Sequence, residues 1–96
     1  MKIDQTLLAN YLKGKPIIRL YLFGSFARNE ETESSDIDLL VEFDHSQQID
    51  LFDFIGWQWD LEKILGRKVD LVSQDSVSKF IKPYIEKDKV LIYEKR

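Results

Sequence analysis

The chain has 96 residues, no cysteine and a formal net charge of −3, so we expect one domain spanning residues 1–96 without disulfides, thiolate zinc sites or a cysteine nucleophile. The acidic balance argues against direct nucleic-acid binding, because that role needs a basic stripe. No apolar run reaches membrane-spanning length and the N-terminus lacks a signal-peptide pattern, so we expect a cytoplasmic protein without membrane contact.

The first part of the chain predicts a helix followed by a strand. Residues 4–13 favour a helix that Asp4 or Thr6 can cap and Gly14 can end. Residues 17–23 favour a strand that is apolar on both faces, which is typical of a central strand covered by helices. Its side chains are expected to alternate, with Ile18, Leu20 and Leu22 on one face and Ile17, Tyr21 and Phe23 on the other.

A turn, a polar loop and a second strand come next. Gly24 and Ser25 turn the chain into a predicted short helix over residues 25–28, and the acidic segment 29–35 predicts a surface loop. Residues 36–43 favour a strand, and the short connection favours antiparallel pairing with the first one. Its alternation predicts a core face of Ile37, Leu39, Val41 and Phe43, and an opposite face of Asp36, Asp38, Leu40 and Glu42.

The second half of the chain continues the alternation of helix and strand. Residues 50–65 predict a helix, residues 68–73 a strand that directs Asp70 away from the core face, and residues 90–93 a short last strand. Asp75 or Ser76 can cap a helix reaching about Lys82, after which Pro83 breaks it or starts a new turn. The order predicts an α/β fold, a small mixed β-sheet of about four strands flanked by helices.

The long helix carries more apolar surface than one core face needs. Its predicted core stripe consists of Phe54, Trp57, Leu61, Ile64 and Leu65. Phe52, Ile55 and Trp59 lie off that stripe, so we expect part of this helix, with two uncovered indoles and the last strand, to form a protein interface.

Asp36 and Asp38 are the first residues that indicate chemistry. They lie two positions apart on a strand, so their side chains point to the same face. Two such charges repel, and each raises the pKa of the other unless a cation neutralises both. Mg²⁺ prefers oxygen ligands and keeps part of its shell for substrate phosphates. The pair therefore indicates a magnesium site, with two solvent-facing acids on an edge strand as the alternative.

Four further residues can join this pair. Gly24-Ser25 lies between a strand and a helix start, where backbone N–H groups can meet a phosphate, although most such pairs are ordinary turns. If the third strand lies beside the second, Asp70 completes a carboxylate triad, which suits two metal ions; otherwise it is an exposed edge acid. Arg28 can pair with phosphate, with the acids, or with the glutamates at 30, 31 or 33. The only histidine, His45, is expected on the surface.

Taken together, these residues resemble the nucleotidyltransferase superfamily related to DNA polymerase β. The similarity lies in Gly24-Ser25, ten intervening residues, Asp36-x-Asp38 and a later strand acid at Asp70. The longer string GSFAR…SDIDLLVEF, in so short a chain, is similar to the minimal nucleotidyltransferases, the MNT group. This resemblance implies the nucleotidyltransferase fold and transfer of AMP, or another NMP, from an NTP with one or two Mg²⁺ ions.

The resemblance also implies a role for each residue of the motif. Asp36 and Asp38 would be metal ligands, and Asp70 would be the third carboxylate, which draws the proton from the attacking hydroxyl. Gly24 and Ser25 would hold the β- and γ-phosphates of ATP or another NTP, and Arg28 is a further candidate for that site.

The acceptor is expected to involve another protein. Related polymerases and antibiotic nucleotidyltransferases carry acceptor domains, and this sequence shows no such domain. MNT chains resemble the antitoxin half of HEPN/MNT toxin–antitoxin pairs, in which the partner is a helical RNase; the family implies that the MNT chain neutralises it, in some systems by AMPylating a tyrosine. An enzyme of this kind is the first hypothesis. The alternatives are a catalytically silent antitoxin that blocks its partner by contact, and a small-molecule nucleotidyltransferase completed by a helical subunit.

Overall fold

Four strands form one mixed sheet with helices between them. The computed structural model describes residues 3–95. Along the chain the elements are α1 (Gln5–Leu12), β1 (Ile17–Phe23), α2 (Gly24–Ala27), β2 (Ile37–Phe43), α3 (Leu51–Leu65), β3 (Val69–Ser73), a 3₁₀ turn (Gln74–Ser76), α4 (Lys82–Asp88) and β4 (Val90–Glu94). The strand order is β3-β2-β1-β4; β1 pairs antiparallel with β2 and β4, and β2 pairs parallel with β3. The predicted fold class and the antiparallel first pair are confirmed.

Helix α3 makes the crossover that the parallel β2–β3 pair requires. Asp50 caps its first turn by accepting a hydrogen bond from the Asp53 N–H at 2.8 Å, and Gly66 ends it in the left-handed conformation at φ +70°. Leu61 is fully buried, and the Trp57 ring lies 5.8 Å from that of Phe43 between centroids. The predicted apolar stripe therefore does face the sheet.

The main core lies between α1, α3 and one face of the sheet. It contains Leu8, Leu12, Ile17, Leu20, Leu22, Phe26, Ile37, Leu39, Val41, Phe43, Leu61, Val69, Leu71 and Ile92. The predicted core face of β2 is confirmed, but the prediction for Ile17 was wrong, because this side chain is buried with Leu20 and Leu22. The pairing of β1 with β2 shifts register between Ile17 and Arg19, and such a bulge reverses the alternation of side chains.

The opposite face of the sheet carries charged side chains at one end and is covered by α4 at the other. Arg19 on β1 bonds Glu42 on β2 at 2.8 Å and Glu94 on β4 at 2.6 Å, so three strands share one ion-pair network. Leu40 and Ile85 are buried on this face outside the main core. Helix α4 therefore covers part of the face that carries the acidic side chains.

The prediction of a helix from Asp75 or Ser76 to Lys82 was wrong. The 3₁₀ turn ends at Ser76, Val77 is extended, and α4 begins only at Lys82 with Pro83 in its first turn. Proline inside a helix loses one hydrogen bond and clashes with the preceding turn, whereas in the first turn its missing N–H costs nothing. Pro83 thus starts a helix rather than ending one.

Helix α3 leaves apolar side chains uncovered, as predicted, but fewer of them. Phe52 is 84% exposed and Trp59 is 61% exposed, whereas Ile55 and Trp57 are half-buried. Only one of the two indoles is therefore exposed, because Trp57 packs against the core.

Within residues 3–95, no helix combines the length and the apolar character needed to cross a membrane.

Candidate active site

The turn after β1 packs directly against Asp38. Gly24 has φ +74°, and the residue before it, Phe23, pairs with Asp38 across β1 and β2. A Cβ added at Gly24 would overlap the Asp38 carboxylate and lie 3.1 Å from its Cγ. Both the backbone conformation and the available space therefore require glycine here, and the predicted phosphate turn touches the first predicted metal ligand.

Helix α2 begins at this turn with its first N–H groups uncapped. Phe23 occupies the N-cap position, and no side-chain cap is found for this helix among the described residues. The Arg28 N–H donates to the Gly24 carbonyl at 3.2 Å, and the Glu30 N–H donates to the Ser25 carbonyl at 2.9 Å, which closes the turn. The backbone N–H groups of the first turn can thus donate to an anion.

The third strand brings Asp70 beside Asp38. The parallel register pairs Asp38 with Asp70 as Cα partners, so both side chains leave the sheet on the same face. The condition set for the carboxylate triad, that the third strand lies next to the second, is confirmed. Asp36 lies one residue before β2 and is exposed. The structure therefore brings all three acids to one end of two neighbouring strands.

The surroundings of Asp38 disfavour its charge. Partial burial raises the pKa of this carboxyl above its ordinary value, and the negative charges of Asp70 and Asp36 raise the pKa further. The positive charge of Arg28 opposes these effects by lowering the pKa. Three acids with insufficient positive charge around them are a suitable donor set for a divalent cation, since each supplies oxygen ligands. In the described part of the chain, no group of three or more His, Cys, Asp or Glu side chains is placed so that it could hold a metal ion.

Arg28 joins the turn to α4. Its Nη1 bonds the Asp88 carboxylate at 2.7 Å, and its Nε bonds the Glu30 carboxylate at 3.1 Å. The alternative of a salt bridge to a neighbouring glutamate is therefore confirmed for Glu30. Asp88 was not anticipated, because no local pattern connects residues so far apart in sequence.

Arg67 fixes the loop that leads into Asp36, a role that the sequence did not reveal. Its Nη1 donates to the carbonyl oxygens of Thr32, Glu33 and Ser35 at 3.2, 3.1 and 3.0 Å. The guanidinium carbon also lies 5.1 Å from the centre of the Phe26 ring. One side chain thus binds three backbone carbonyl groups of the loop just before the acidic strand.

Two neighbouring hollows border the acids and the turn. The first, called here the acid-side hollow, measures about 290 Å³ and is lined by Phe23, Asp70, Val72, Ser76, Val77, Ser78, Ile81 and Ile85. The second, the turn-side hollow, measures about 180 Å³ and is lined by Phe23, Gly24, Arg28, Ile81, Tyr84, Ile85 and Asp88. They share the side chains of Phe23, Ile81 and Ile85, so they form adjoining parts of one depression between the sheet and α4.

A larger hollow lies elsewhere and contains none of the three acids. It measures about 460 Å³ and is lined by Phe43, His45, Gln47, Ile49, Asp50, Leu51, Phe54 and Ser73. His45 is exposed and lies 3.0 Å from the Asp75 carboxylate. The predicted surface position of His45 is confirmed. Asp70 in the acid-side hollow and Gly24 in the turn-side hollow identify the smaller pair of hollows as the candidate active site.

The sequence matches a known family along most of its length. Residues 4–92 match the model of the nucleotidyltransferase domain. A Methanocaldococcus jannaschii protein, named as a candidate protein adenylyltransferase, is 48% identical over 73 residues, covering 75% of this chain and 71% of the relative. The protein adenylyltransferase MntA of Thermococcus cleftensis is 37% identical over 71 residues, covering 74% of this chain and 70% of the relative.

Solved structures share the fold at lower sequence identity. A chain in the crystal structure of a toxin–antitoxin complex with AMP-PNP superposes with a TM-score of 0.77 at 21% identity, over 98% of this chain and 76% of that one. A chain in the structure of a tri-AMPylated Shewanella oneidensis HEPN toxin with its MNT antitoxin superposes with a TM-score of 0.63 at 22% identity, over 95% of this chain and 73% of that one.

Proposed function

Because this chain belongs to the nucleotidyltransferase domain family, we propose that it transfers AMP from ATP to a tyrosine hydroxyl of a helical HEPN-type toxin and so acts as the antitoxin. The observation that carries the proposal is the contact between the Gly24 turn and Asp38, with Asp70 paired beside it. Relatives named as adenylyltransferases and structural neighbours in toxin–antitoxin complexes support the donor and the partner. We also propose that residues 1–96 form one domain.

Asp36, Asp38 and Asp70 would hold Mg²⁺ in this site. The fit rests on the chemistry of the donor set, since three carboxylates lie at the same end of β2 and β3 and the charges of Asp70 and Asp36 act on Asp38. When bound, the metal supplies Lewis-acid stabilisation of negative charge on the phosphates. The Gly24–Ser25 turn would hold the β- and γ-phosphates through backbone N–H groups and the Ser25 hydroxyl.

The chain's own residues would then carry out nucleotidyl transfer. The acceptor oxygen attacks the α-phosphorus and forms a new P–O bond, while the bond between the α-phosphorus and the bridging oxygen breaks and pyrophosphate leaves. Asp70 accepts the proton that the hydroxyl loses. The free turn holds the departing pyrophosphate in line with the new bond, and Asp38 lies between the turn and the proton acceptor.

The partner would contact the exposed apolar side chains of α3 and β4. Phe52 and Trp59 are exposed on α3, and Val90 and Leu91 are exposed at the edge strand β4. Exposed apolar groups of this size are typical of protein interfaces. We therefore expect Trp59→Glu to weaken co-purification with the partner without changing ATP binding.

The test of the proposed function is transfer to the product of the adjacent gene, which we expect to be the toxin. We expect the two proteins to co-purify, and the toxin to gain whole AMP units on tyrosine after incubation with ATP and Mg²⁺, as measured by mass spectrometry. Asp70→Asn should keep the complex but stop the gain in mass, because the proton acceptor is lost. A tight wild-type complex without added mass would instead identify a silent antitoxin, and a monomer that binds no helical partner would contradict the interface.

Asp88 is expected to compete with nucleotide for Arg28. The two side chains form an ion pair at 2.7 Å beside the turn, so Asp88→Asn frees a guanidinium that can move to the phosphates. We expect AMP-PNP affinity, measured by calorimetry with Mg²⁺, to rise about two- to fivefold. Glu86→Gln is the matched control, since Glu86 lies on the same helix and pairs with Lys89. Unchanged or weaker binding in Asp88→Asn would show that Arg28 acts only as a structural link.

A further inference from the structure

We infer that Arg67 is the positioning residue for Asp36. By bonding the backbone just before Asp36, the Arg67 guanidinium sets the direction of this carboxylate and, through it, the affinity of the site for a divalent cation. The inference rests on the proposed function, because it assigns a role at the cation side of the same site. Arg67 itself contacts neither nucleotide nor cation in this role and acts through Asp36.

Asp36 is the acid of the three that the sheet does not hold. Asp38 and Asp70 are Cα partners within the parallel pair of β2 and β3. Asp36 lies one residue before β2, and it is exposed. An exposed side chain outside the strands loses conformational entropy when it is fixed on a cation, unless its backbone already directs it. The contacts of the backbone beside Asp36 therefore decide how well this acid is placed.

Two consecutive residues hold the two peptide groups that flank Asp36. The Arg67 Nη1 donates to the Ser35 carbonyl oxygen at 3.0 Å, and this carbonyl belongs to the peptide group before Asp36. The Ile37 N–H, in the peptide group after Asp36, donates to the Lys68 carbonyl oxygen at 2.9 Å. The soft dihedrals of a residue are rotations between its flanking peptide planes, so holding both planes fixes the direction of its side chain.

The same guanidinium also orders the loop before Asp36. Its Nη1 donates to the Thr32 and Glu33 carbonyl oxygens at 3.2 and 3.1 Å. The Thr32 N–H donates to the Ser35 Oγ at 2.8 Å, and the Ser35 N–H donates to the Thr32 carbonyl at 3.1 Å, which closes the turn that Arg67 covers. Hydrogen bonds from a charged donor are stronger than those between neutral groups. Loss of this donor therefore releases the turn next to Asp36.

Arg67 is itself well held, as a positioning residue must be. Glu62 on α3 bonds the residue on one side of Arg67 and the residue after the next on the other. The Gly66 N–H donates to the Glu62 carbonyl at 2.8 Å, and the Val69 N–H donates to the Glu62 Oε2 at 3.0 Å. At the far end of the side chain, the guanidinium carbon lies 5.1 Å from the centre of the buried Phe26 ring on α2. Arg67 thus joins the helix after the phosphate turn, the loop before the acidic strand and the start of β3.

The first test uses Mn²⁺ as the probe, with AMP-PNP present, and measures its affinity by electron paramagnetic resonance. Arg67→Met keeps a long side chain over Phe26 but has no donor. We expect it to weaken Mn²⁺ binding about tenfold, as is typical when contacts that orient metal ligands are removed. Arg67→Lys should recover part of the affinity, because an ammonium group still donates to carbonyl oxygens. Arg67→Gln, which is too short to reach the three carbonyls, is the second variant should Arg67→Met not fold.

Arg19→Met is the matched control for a merely structural arginine. Arg19 also joins three elements, since it bonds Glu42 at 2.8 Å and Glu94 at 2.6 Å across three strands. We expect Arg19→Met to lower the melting temperature and to leave Mn²⁺ affinity unchanged. In the metal-free protein, hydrogen exchange of the Ile37 amide should be faster in Arg67→Met than in Arg19→Met, because only the first releases the backbone beside Asp36.

The decisive measurement repeats the substitution in an Asp36→Asn background. Arg67→Met should weaken Mn²⁺ binding no further there, because its effect passes through the Asp36 carboxylate. An equal loss in both backgrounds would show that Arg67 acts by its charge or by general stability, and would overturn the inference. Unchanged Mn²⁺ affinity in folded Arg67→Met would overturn it too.

These outcomes are separate from those of the proposed function. If Arg67→Met binds Mn²⁺ as wild type does and both transfer AMP to the adjacent gene product, the inference fails and the proposed function stands. If the cycle gives the expected dependence on Asp36 but wild type transfers no AMP, the proposed function fails and the role of Arg67 stands.

Discussion

Gly24→Ala should reduce AMP transfer about a hundredfold, because the added Cβ cannot coexist with the Asp38 carboxylate in its present position. The Cβ would lie 3.1 Å from Asp38 Cγ and closer still to a carboxylate oxygen, so Asp38 or the turn must move. Either movement separates the phosphates from the carboxylate that would hold the metal. The measurement is the rate of AMP incorporation into the toxin at saturating ATP, together with the AMP-PNP affinity.

Gly66→Ala is the matched control for this substitution. Gly66 has φ +70°, close to the +74° of Gly24, but a Cβ there meets no described atom within 4 Å. Both variants carry the same kind of backbone strain, on the order of 1 kcal/mol, and Gly24→Ala adds the clash with Asp38, so its loss of thermal stability should be at least as large as that of Gly66→Ala. Only Gly24→Ala should lose transfer at a temperature where both are folded. Equal activity in the two variants would show that the turn does not act on the phosphates.

Asp38→Asn should lower transfer on the order of a thousandfold without lowering thermal stability. The loss of activity is expected because the central carboxylate of the site would no longer carry a charge for the metal. Stability should stay unchanged or rise, because burial and the charges of Asp70 and Asp36 raise the pKa of Asp38. A carboxyl with a raised pKa in the folded state binds its proton more tightly there than in the unfolded chain, so its ionisation destabilises the fold.

The pH dependence of this stability effect gives a second measurement. Below the ordinary carboxyl pKa, Asp38 is protonated in both states and wild type should match Asp38→Asn. As pH rises through the ordinary pKa and then the raised pKa, wild type should lose stability relative to the variant, and the difference should be complete at neutral pH. Glu33→Gln, which removes one acid from the exposed loop, is the matched control variant. A clear fall in the melting temperature of Asp38→Asn at neutral pH, with normal nucleotide binding, would contradict the assignment.

The sequence predicted the part of the site that depends on local pattern. Alternation along β2 and β3 placed Asp38 and Asp70 on the face opposite the core, and the apolar stripe predicted helix α3 between these strands. That the two strands are neighbours was only a condition in the sequence analysis, and the structure supplies it. Glycine between a strand and a helix start indicated the turn. Each of these features is encoded within a few adjacent residues, by the period of two in strands and about 3.6 in helices.

The features that the sequence did not predict depend on long-range contacts. Arg67 bonds the backbone before Asp36, and Asp88 bonds Arg28, although neither position shows a local motif. The burial of Ile17 depends on a bulge that only pairing with β2 reveals. The start of α4 at Lys82 depends on Pro83, which is compatible with both the end and the beginning of a helix. In each case tertiary context decides between local alternatives.

The parallel pairing of β2 with β3 also bears on how the site assembles as the chain folds. β1 and β2 form from neighbouring segments joined by one loop, so the Gly24 turn and Asp38 meet through a contact of short range. Asp70 reaches Asp38 only after all of α3 has crossed the sheet. A contact between distant segments forms slowly, because the chain loses conformational entropy in closing the loop before the contact stabilises the fold. We therefore expect the Gly24 turn to meet Asp38 in a folding chain before Asp70 does, so that the proposed site is complete only after this later step.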